Sequence, residues 1–195
     1  MEDRVAMLML DTEKFPIIFM GSIKTGAVPI CLNTLMRPKD YLYFLNDSRA
    51  RVLMVDEALF HNIEEVKNQL DYLETIIVVN GKEDIAGTTA YDDFVDGHST
   101  DLDVAPTTPD DSCFWLYSSG STGKPKGTVH LQHDMLFSAE TYGKQVLKVQ
   151  EDDVCFSAAK LFFAYGLGNG LYFPFSVGAT TVLMPERPTP ESVYR

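Results

Sequence analysis

Basic residues are scarce in this chain of 195 residues: 16 Lys and Arg stand against 28 Asp and Glu, a formal net charge of −12. Nucleic-acid binders normally present a basic field, so that class is disfavoured, and any anionic ligand must be held by a local positive site. Cysteine is sparse as well. Cys31, Cys113 and Cys155 lie far apart with no CxxC and no Cys/His cluster, which reads as reduced thiols rather than a metal or redox pair. No basic, apolar leader opens the sequence, because Glu2 and Asp3 follow Met1; no signal peptide and a cytoplasmic location are expected. Tryptophan occurs once, yet 12 Phe and 9 Tyr supply apolar area for one sizeable core or two small lobes.

Charge is also missing from 161–185, a stretch long enough to span a bilayer. It contains Gly166, Gly168, Gly170, Pro174 and Gly178, with Asn169 and the pair Thr180–Thr181. A Gly-rich loop, a short helix, a turn at 176–178 and a buried strand at 179–184 fit it better than a membrane helix.

Strands and helices alternate along the first half. The apolar run 4–10 reads as a strand covered on both faces. Asp11 or Thr12 is a candidate cap for a helix in which Phe15, Ile18, Phe19 and Ile23 share a face, and Gly26 ends it. A strand at 28–32, a short helix opened by Pro38, a strand at 52–55, a helix over 57–70 and a strand at 75–79 follow. This order predicts an α/β fold with parallel-rich sheets and flanking helices. The acidic, Thr-rich segment 80–111 reads as a surface excursion around a short helix at 91–95. Beyond it come a strand at 113–117, an amphipathic helix over 134–147 through Leu136, Ala139, Tyr142 or Gly143, and Val146, and a strand at 154–158. No internal repeat is visible. Residues 1–111 and 112–195 are expected to form two lobes, and 190–195 reads as the first turn of a helix.

The strongest chemical signal is Tyr117-Ser118-Ser119-Gly120-Ser121-Thr122-Gly123-Lys124-Pro125-Lys126-Gly127-Thr128. Six consecutive hydroxyl-bearing or glycine residues present backbone N–H groups without obstruction, and two lysines add positive charge beside them. Polyphosphate recognition requires such a loop, since charge-assisted hydrogen bonds are about twice as strong as neutral ones. The Walker pattern fails here: the fifth residue after Gly120 is Pro125, not Gly. A Ser/Gly linker is disfavoured by the apolar segments on either side. His130 and His133 read as positioning or capping groups, and Glu151-Asp152-Asp153 as a solvated turn.

The string YSSGSTGKPKGT resembles the phosphate-binding signature of the acyl-adenylate-forming superfamily, which holds acyl- and aryl-CoA ligases, firefly luciferase and peptide-synthetase adenylation domains. The resemblance implies that Ser118, Ser119, Gly120, Ser121, Thr122, Gly123 and Lys124 grip the phosphates of ATP, with Lys126 and Gly127 in support. A second segment, KLFFAYGLGNG from Lys160 to Gly170, resembles the acyl-pocket segment of that family and is most similar to that of the benzoate–CoA ligases. Phe163, Ala164, Tyr165 and Gly166 are thereby expected to wall the pocket for a flat aromatic acid. Aromatic core packing with glycine turns is the competing reading of this segment. Segments 4–10, 23–34 and 47–55 agree with the family, so the resemblance covers essentially the whole chain.

What the resemblance implies is ATP-dependent activation of a benzoate-like carboxylate to an acyl-adenylate and then to a coenzyme A thioester. ATP, Mg²⁺ and coenzyme A are the implied cofactors and co-substrates, and a homodimer is the assembly that the family suggests. The family's adenine-binding stretch, its ribose-binding Asp and its carboxy-terminal domain with the catalytic lysine have no match here. No catalytic residue is therefore expected within the chain, metal ligands are undetermined, and the chain is expected to be an amino-terminal fragment that does not turn over alone. A ligase for another small carboxylic acid and a non-catalytic nucleotide-binding fragment are the alternatives.

Overall fold

The computed structural model describes residues 1–81, 85–119 and 123–194. Strand β1 (Arg4–Leu8) is buried along nearly all its length because each face of the sheet carries its own helical layer. Val5, Met7 and Met9 point to one side, into a core with Phe15, Ile18 and Phe19 of α1 (Lys14–Lys24). Ala6 and Leu8 point to the other, against Tyr41, Phe44 and Leu45 of α2 (Pro38–Ser48). Period-two alternation on a strand buried on both faces leaves no polar positions, hence the continuous apolar run.

Helix α1 ends at Gly26, whose φ of +76° suits glycine, and whose Cβ, if present, would lie 2.9 Å from that of Ala105. The chain continues through β2 (Val28–Cys31), β3 (Val52–Asp56), the short α3 (His61–Glu64), β4 (Thr75–Val79), β5 (Thr89–Ala90) and α4 (Tyr91–Val95). Strands β6 (Ser112–Ser118) and β7 (Lys126–Leu131) complete a seven-stranded sheet of order β5-β4-β3-β1-β2-β6-β7. Every pairing is parallel except β6 with β7, an antiparallel hairpin. The sheet thus runs across residues 111 and 112. Helix α5 (Gln132–Ser138), a π-helical stretch Ala139–Leu147, α6 (Ala164–Leu167), α7 (Phe173–Phe175) and α8 (Pro190–Val193) follow, with a separate parallel pair of β8 (Val154–Phe156) and β9 (Thr180–Val182). No helix among the described residues is long and apolar enough to cross a membrane.

Two expected helices differ. The segment 57–70 is a 3₁₀ turn at Glu57–Leu59, then α3, then a second 3₁₀ turn at Lys67–Gln69. Its buried residues Phe60, Ile63 and Val66 recur every third position, the period of a 3₁₀ rather than an α-helix. The second begins two residues early, at Gln132, and buries Ala139 and Gly143, while Leu136, Tyr142 and Val146 stay exposed. Gly143 faces the Phe173 ring at a distance that suits a small residue, so within the expected stripe the small members Ala139 and Gly143 make the contact and the large apolar ones do not.

Asp11 caps nothing in α1, which has no side-chain cap. It lies buried just past β1, and both carboxylate oxygens accept the backbone N–H of Leu161, at 3.1 and 3.3 Å.

Candidate functional site

A cavity of about 490 Å³ opens at the carboxyl ends of β2 and β6, which run parallel with Cys31 opposite Leu116. In α/β sheets that end is where ligands are bound. One side of the cavity comes from the β6–β7 hairpin: Tyr117, Ser118, Ser119, Pro125, Thr128 and His130. Phe162, Phe163 and Ala164 line the same cavity, as do Asn33, Met36 and Phe44. The two segments singled out in the sequence thus meet across one space, although more than 30 residues separate them.

The hairpin explains the loop's placement. Ser118 pairs with Lys126 and Tyr117 with Gly127, so β6 and β7 run antiparallel with the two ends of the motif side by side. Gly120, Ser121 and Thr122 lie outside the described residues. Gly123 has φ +130°, a conformation that L side chains rarely adopt. Gly127 packs under Trp115, whose ring would lie 3.2 Å from an added Cβ.

Helix α2 anchors this hairpin. The Tyr43 hydroxyl donates to the Pro125 carbonyl at 3.0 Å, and the Lys124 ammonium lies 5.1 Å from the centre of the Tyr43 ring. The Tyr117 hydroxyl donates to Asp47 Oδ2 at 2.7 Å, and burial together with that carboxylate keeps the phenol far above its ordinary range. Tyr43 and Asp47 stand four apart on one helical face, a spacing visible in the sequence, but nothing local tells which loop they meet.

His130 stacks on Phe114 with centroids 4.4 Å apart, and its Nδ1 lies 3.2 Å from Asp134 Oδ2. Asp134 also accepts the Leu131 N–H at 3.0 Å, and His133 Nδ1 approaches the Pro109 carbonyl at 2.8 Å. Both histidines therefore organise the entry into α5. Asp152 and Asp153 are exposed, Asp153 accepting the Gln150 N–H.

The aromatic wall is a tight turn. Phe163 N–H donates to the Lys160 carbonyl at 3.0 Å, and Leu167 N–H donates to the Phe163 carbonyl at 2.8 Å, starting α6. Gly166 sits so close beneath it that a Cβ would fall 2.0 Å from the Lys160 carbonyl oxygen and 2.4 Å from that of Ala159. Phe162 is buried with Leu161 in the core, while Phe163 is half exposed and stacks obliquely on it, centroids 4.5 Å apart. Tyr165, 69% exposed, lines a different cavity, with Phe156, Asn169 and Phe173. The wall between loop and helix therefore carries core packing through Phe162 and an open aromatic face through Phe163.

Cys31 and Cys113 are buried free thiols whose ionisation burial opposes, Cys113 being pushed up to about 12. Among the described residues no three His, Cys, Asp or Glu side chains gather to hold a metal ion.

Burial pushes the Asp11 carboxyl up to about 6 from its ordinary 3.8, against the pull of the Leu161 N–H and of Lys160. A carboxyl held above its unfolded value binds its proton more tightly when folded. The stability so gained is complete below about pH 4 and is lost as pH rises through about 6. Asp11→Asn keeps an acceptor for Leu161 and cannot ionise, so relative to the wild type it should gain about 3 kcal/mol across that window and stay level above it. Urea unfolding of both proteins between pH 4 and pH 8 reads this difference; parallel curves would sink it.

The family model for AMP-binding enzymes matches residues 1–195. The chain belongs to the AMP-binding enzyme family. It is 51% identical over 193 residues to a benzoate–CoA ligase of Thauera aromatica, an alignment covering 99% of this chain and 36% of that protein. It is 44% identical over 193 residues to a 4-hydroxybenzoate–CoA/benzoate–CoA ligase of Rhodopseudomonas palustris, covering 99% and 35%. The fold superposes on the anthranilate CoA ligase AuaEII, solved in complex with anthranoyl-AMP, with a TM-score of 0.92 at 39% identity, covering 95% of this chain and 36% of that one. This member of the AMP-binding family thus spans about a third of the length of the curated relatives it matches.

Proposed function

We propose that this chain is the amino-terminal part of an aryl-CoA ligase that activates a benzoate-like acid with ATP and passes the acyl group to coenzyme A. The observation that carries the proposal is the shared cavity, which has Ser118, Ser119 and Pro125 of the hydroxyl- and lysine-rich hairpin on one wall and Phe162, Phe163 and Ala164 on the other. The 51% identity to a benzoate–CoA ligase supports the aromatic acid over an aliphatic one.

In the proposed reaction the acid's carboxylate attacks the α-phosphorus of ATP, the bond to pyrophosphate breaks, and coenzyme A thiol then displaces AMP to form the thioester. Both nucleophiles belong to the substrates. The protein's share is alignment and charge stabilisation. Ser118, Ser119, Gly120, Ser121, Thr122, Gly123 and Lys124 would hold the phosphates through backbone N–H groups, hydroxyls and one ammonium, with Lys126 and Gly127 at the base of the hairpin. The donor set fits a polyanion: hydroxyls and two ammonium groups with no carboxylate among them. Mg²⁺, where present, neutralises phosphate charge, and such ions keep waters and substrate phosphates as ligands rather than needing a protein cage. Phe163 and Ala164 would present the surface for the acid, where ring faces and edges pack favourably, with Gly166 fixing the turn behind them, while Tyr165 faces the neighbouring cavity and has no part in that surface.

The exposed apolar residues Leu136, Phe137, Val146, Val154 and Phe156 support a longer protein, since faces of this kind mark surfaces that other segments cover. We place that protein in the cytoplasm, as a homodimer.

The test is pyrophosphate release by the full-length ligase with ATP, Mg²⁺ and a panel of benzoate, hydroxybenzoates, acetate and octanoate, with and without coenzyme A. Benzoate-selective release, with benzoyl-CoA formed only when coenzyme A is present, is the expected result. Preference for an aliphatic acid would overturn the aromatic assignment, and no release with any acid would overturn the reaction.

A further inference from the structure

We infer that Asp11 is a positioning residue for the aromatic wall of the acid-binding cavity, acting through the main chain at Leu161. The inference rests on the reading of that cavity given above. Asp11 is buried, 4% exposed, and 150 residues from Leu161 in sequence, yet both its oxygens accept the Leu161 N–H. Its own backbone is fixed from the sheet side, because the preceding N–H, that of Leu10, donates to Asp56 Oδ2 at 2.8 Å, and Asn80 Nδ2 holds the other oxygen of Asp56 at 2.8 Å. The carboxylate is thus carried on a rigid mount at the carboxyl end of β1.

What it grips is the root of the wall. Leu161 precedes Phe162, Phe163 and Ala164, which line the cavity. Lys160 closes the same unit: its ammonium lies 4.0 Å from Asp11 Oδ2 and donates to the carbonyl oxygens of Met184 and of Glu186, the latter at 2.7 Å. The Lys160 carbonyl in turn receives Phe163 N–H and the close approach of Gly166. Residues 160–166 are therefore knit together by these contacts, and Asp11 with Lys160 ties them to β1 and to the segment after β9. A hydrogen bond from a backbone N–H to a carboxylate is about twice as strong as one to a neutral acceptor, and small displacements of substrate-positioning groups cost disproportionately in binding and rate.

The experiment uses the full-length ligase and measures KM for the acid and for ATP separately, with kcat, in Asp11→Ala, Asp11→Asn and Lys160→Met. A wild type that releases no pyrophosphate with any acid would fail the functional reading before any variant is compared. Asp11→Ala, which leaves Leu161 without its acceptor, is expected to raise the KM for the acid about tenfold while the KM for ATP stays within about twofold. Asp11→Asn retains an oxygen for the Leu161 N–H and is expected to return the acid KM to within about threefold of the wild type. An unchanged acid KM in folded Asp11→Ala, an equal rise in both KM values, or failure of Asp11→Asn to rescue would each overturn the inference. Should Asp11→Ala not fold, Lys160→Met decides: a rise in acid KM of about threefold or more with ATP unaffected supports the tether, and an unchanged acid KM overturns it.

Discussion

Gly166→Ala in the full-length ligase is expected to lower acid-dependent pyrophosphate release by about a hundredfold or more, with a loss of stability beside it. The cause is close approach, not a left-handed backbone. A Cβ at this position would meet the Lys160 carbonyl oxygen at 2.0 Å and the Ala159 carbonyl oxygen at 2.4 Å, both of them backbone atoms that cannot swing aside as a side chain end can. Relief requires the start of α6 to lift away from residues 159–160, which moves Phe163 and Ala164 out of the cavity they line. Overpacking of a fitted interior costs about 1–3 kcal/mol even where side chains can adjust. Gly21 is the control. It lies in α1, nothing stands within 4 Å of its absent Cβ, and alanine there should be neutral or stabilising by up to about 1 kcal/mol. If Gly166→Ala behaves like Gly21→Ala in both thermal unfolding and turnover, the wall is not built as described.

Lys124→Met should raise the KM for ATP in the same enzyme about 10- to 100-fold while leaving the KM for the acid nearly unchanged, because hydrogen bonds to charged groups are worth about 1.5–3 kcal/mol. The net charge of −12 sharpens the expectation: a polyphosphate approaches against the field of the whole chain, so each local ammonium counts. Lys124 is held over the Tyr43 ring, and Pro125 is held through its carbonyl by the same tyrosine, so the ammonium is presented from a fixed hairpin rather than a loose linker. Methionine keeps most of the side chain's length and apolar contact and removes the charge alone. Steady-state titration of ATP at saturating acid reads the effect. Equal ATP affinity in variant and wild type would remove Lys124 from the phosphate site.

Much of the fold is legible in the sequence. The apolar run at β1, the helix through Phe15, Ile18 and Phe19, the glycine stop at Gly26 and the recurrence of strand and helix led directly to a parallel α/β sheet. These signals are local: they arise from the pleat of a strand, the pitch of a helix and the freedom of glycine, each expressed within a few residues of itself. The motif from Tyr117 to Thr128 stood out as chemistry, because small residues, hydroxyls and lysines in immediate succession suit a polyphosphate, whereas the segment from Lys160 to Gly170 was singled out only by its resemblance to the family, with core packing as the competing reading. Where local periodicity conflicted with contact, contact won. Residues 57–70 broke into turns to bury every third side chain, and the helix after β7 turned Ala139 and Gly143 inward while Leu136 and Val146 stayed outside.

The partners of polar groups were beyond reach of the sequence. Asp11 carries the signature of a helix cap and instead receives an N–H from 150 residues away, because α1 closes its first turn on the Thr12 carbonyl and Leu161 arrives with a buried donor. Tyr43 could have met any loop, and it meets the hairpin only because β6 lies beside β2, above the helix that carries it. Residue types and their spacing set which elements form and which chemistry the chain can offer. Which loop faces which wall depends on strand order and on the donors and acceptors left unsatisfied when the elements pack, and those are properties of the folded whole.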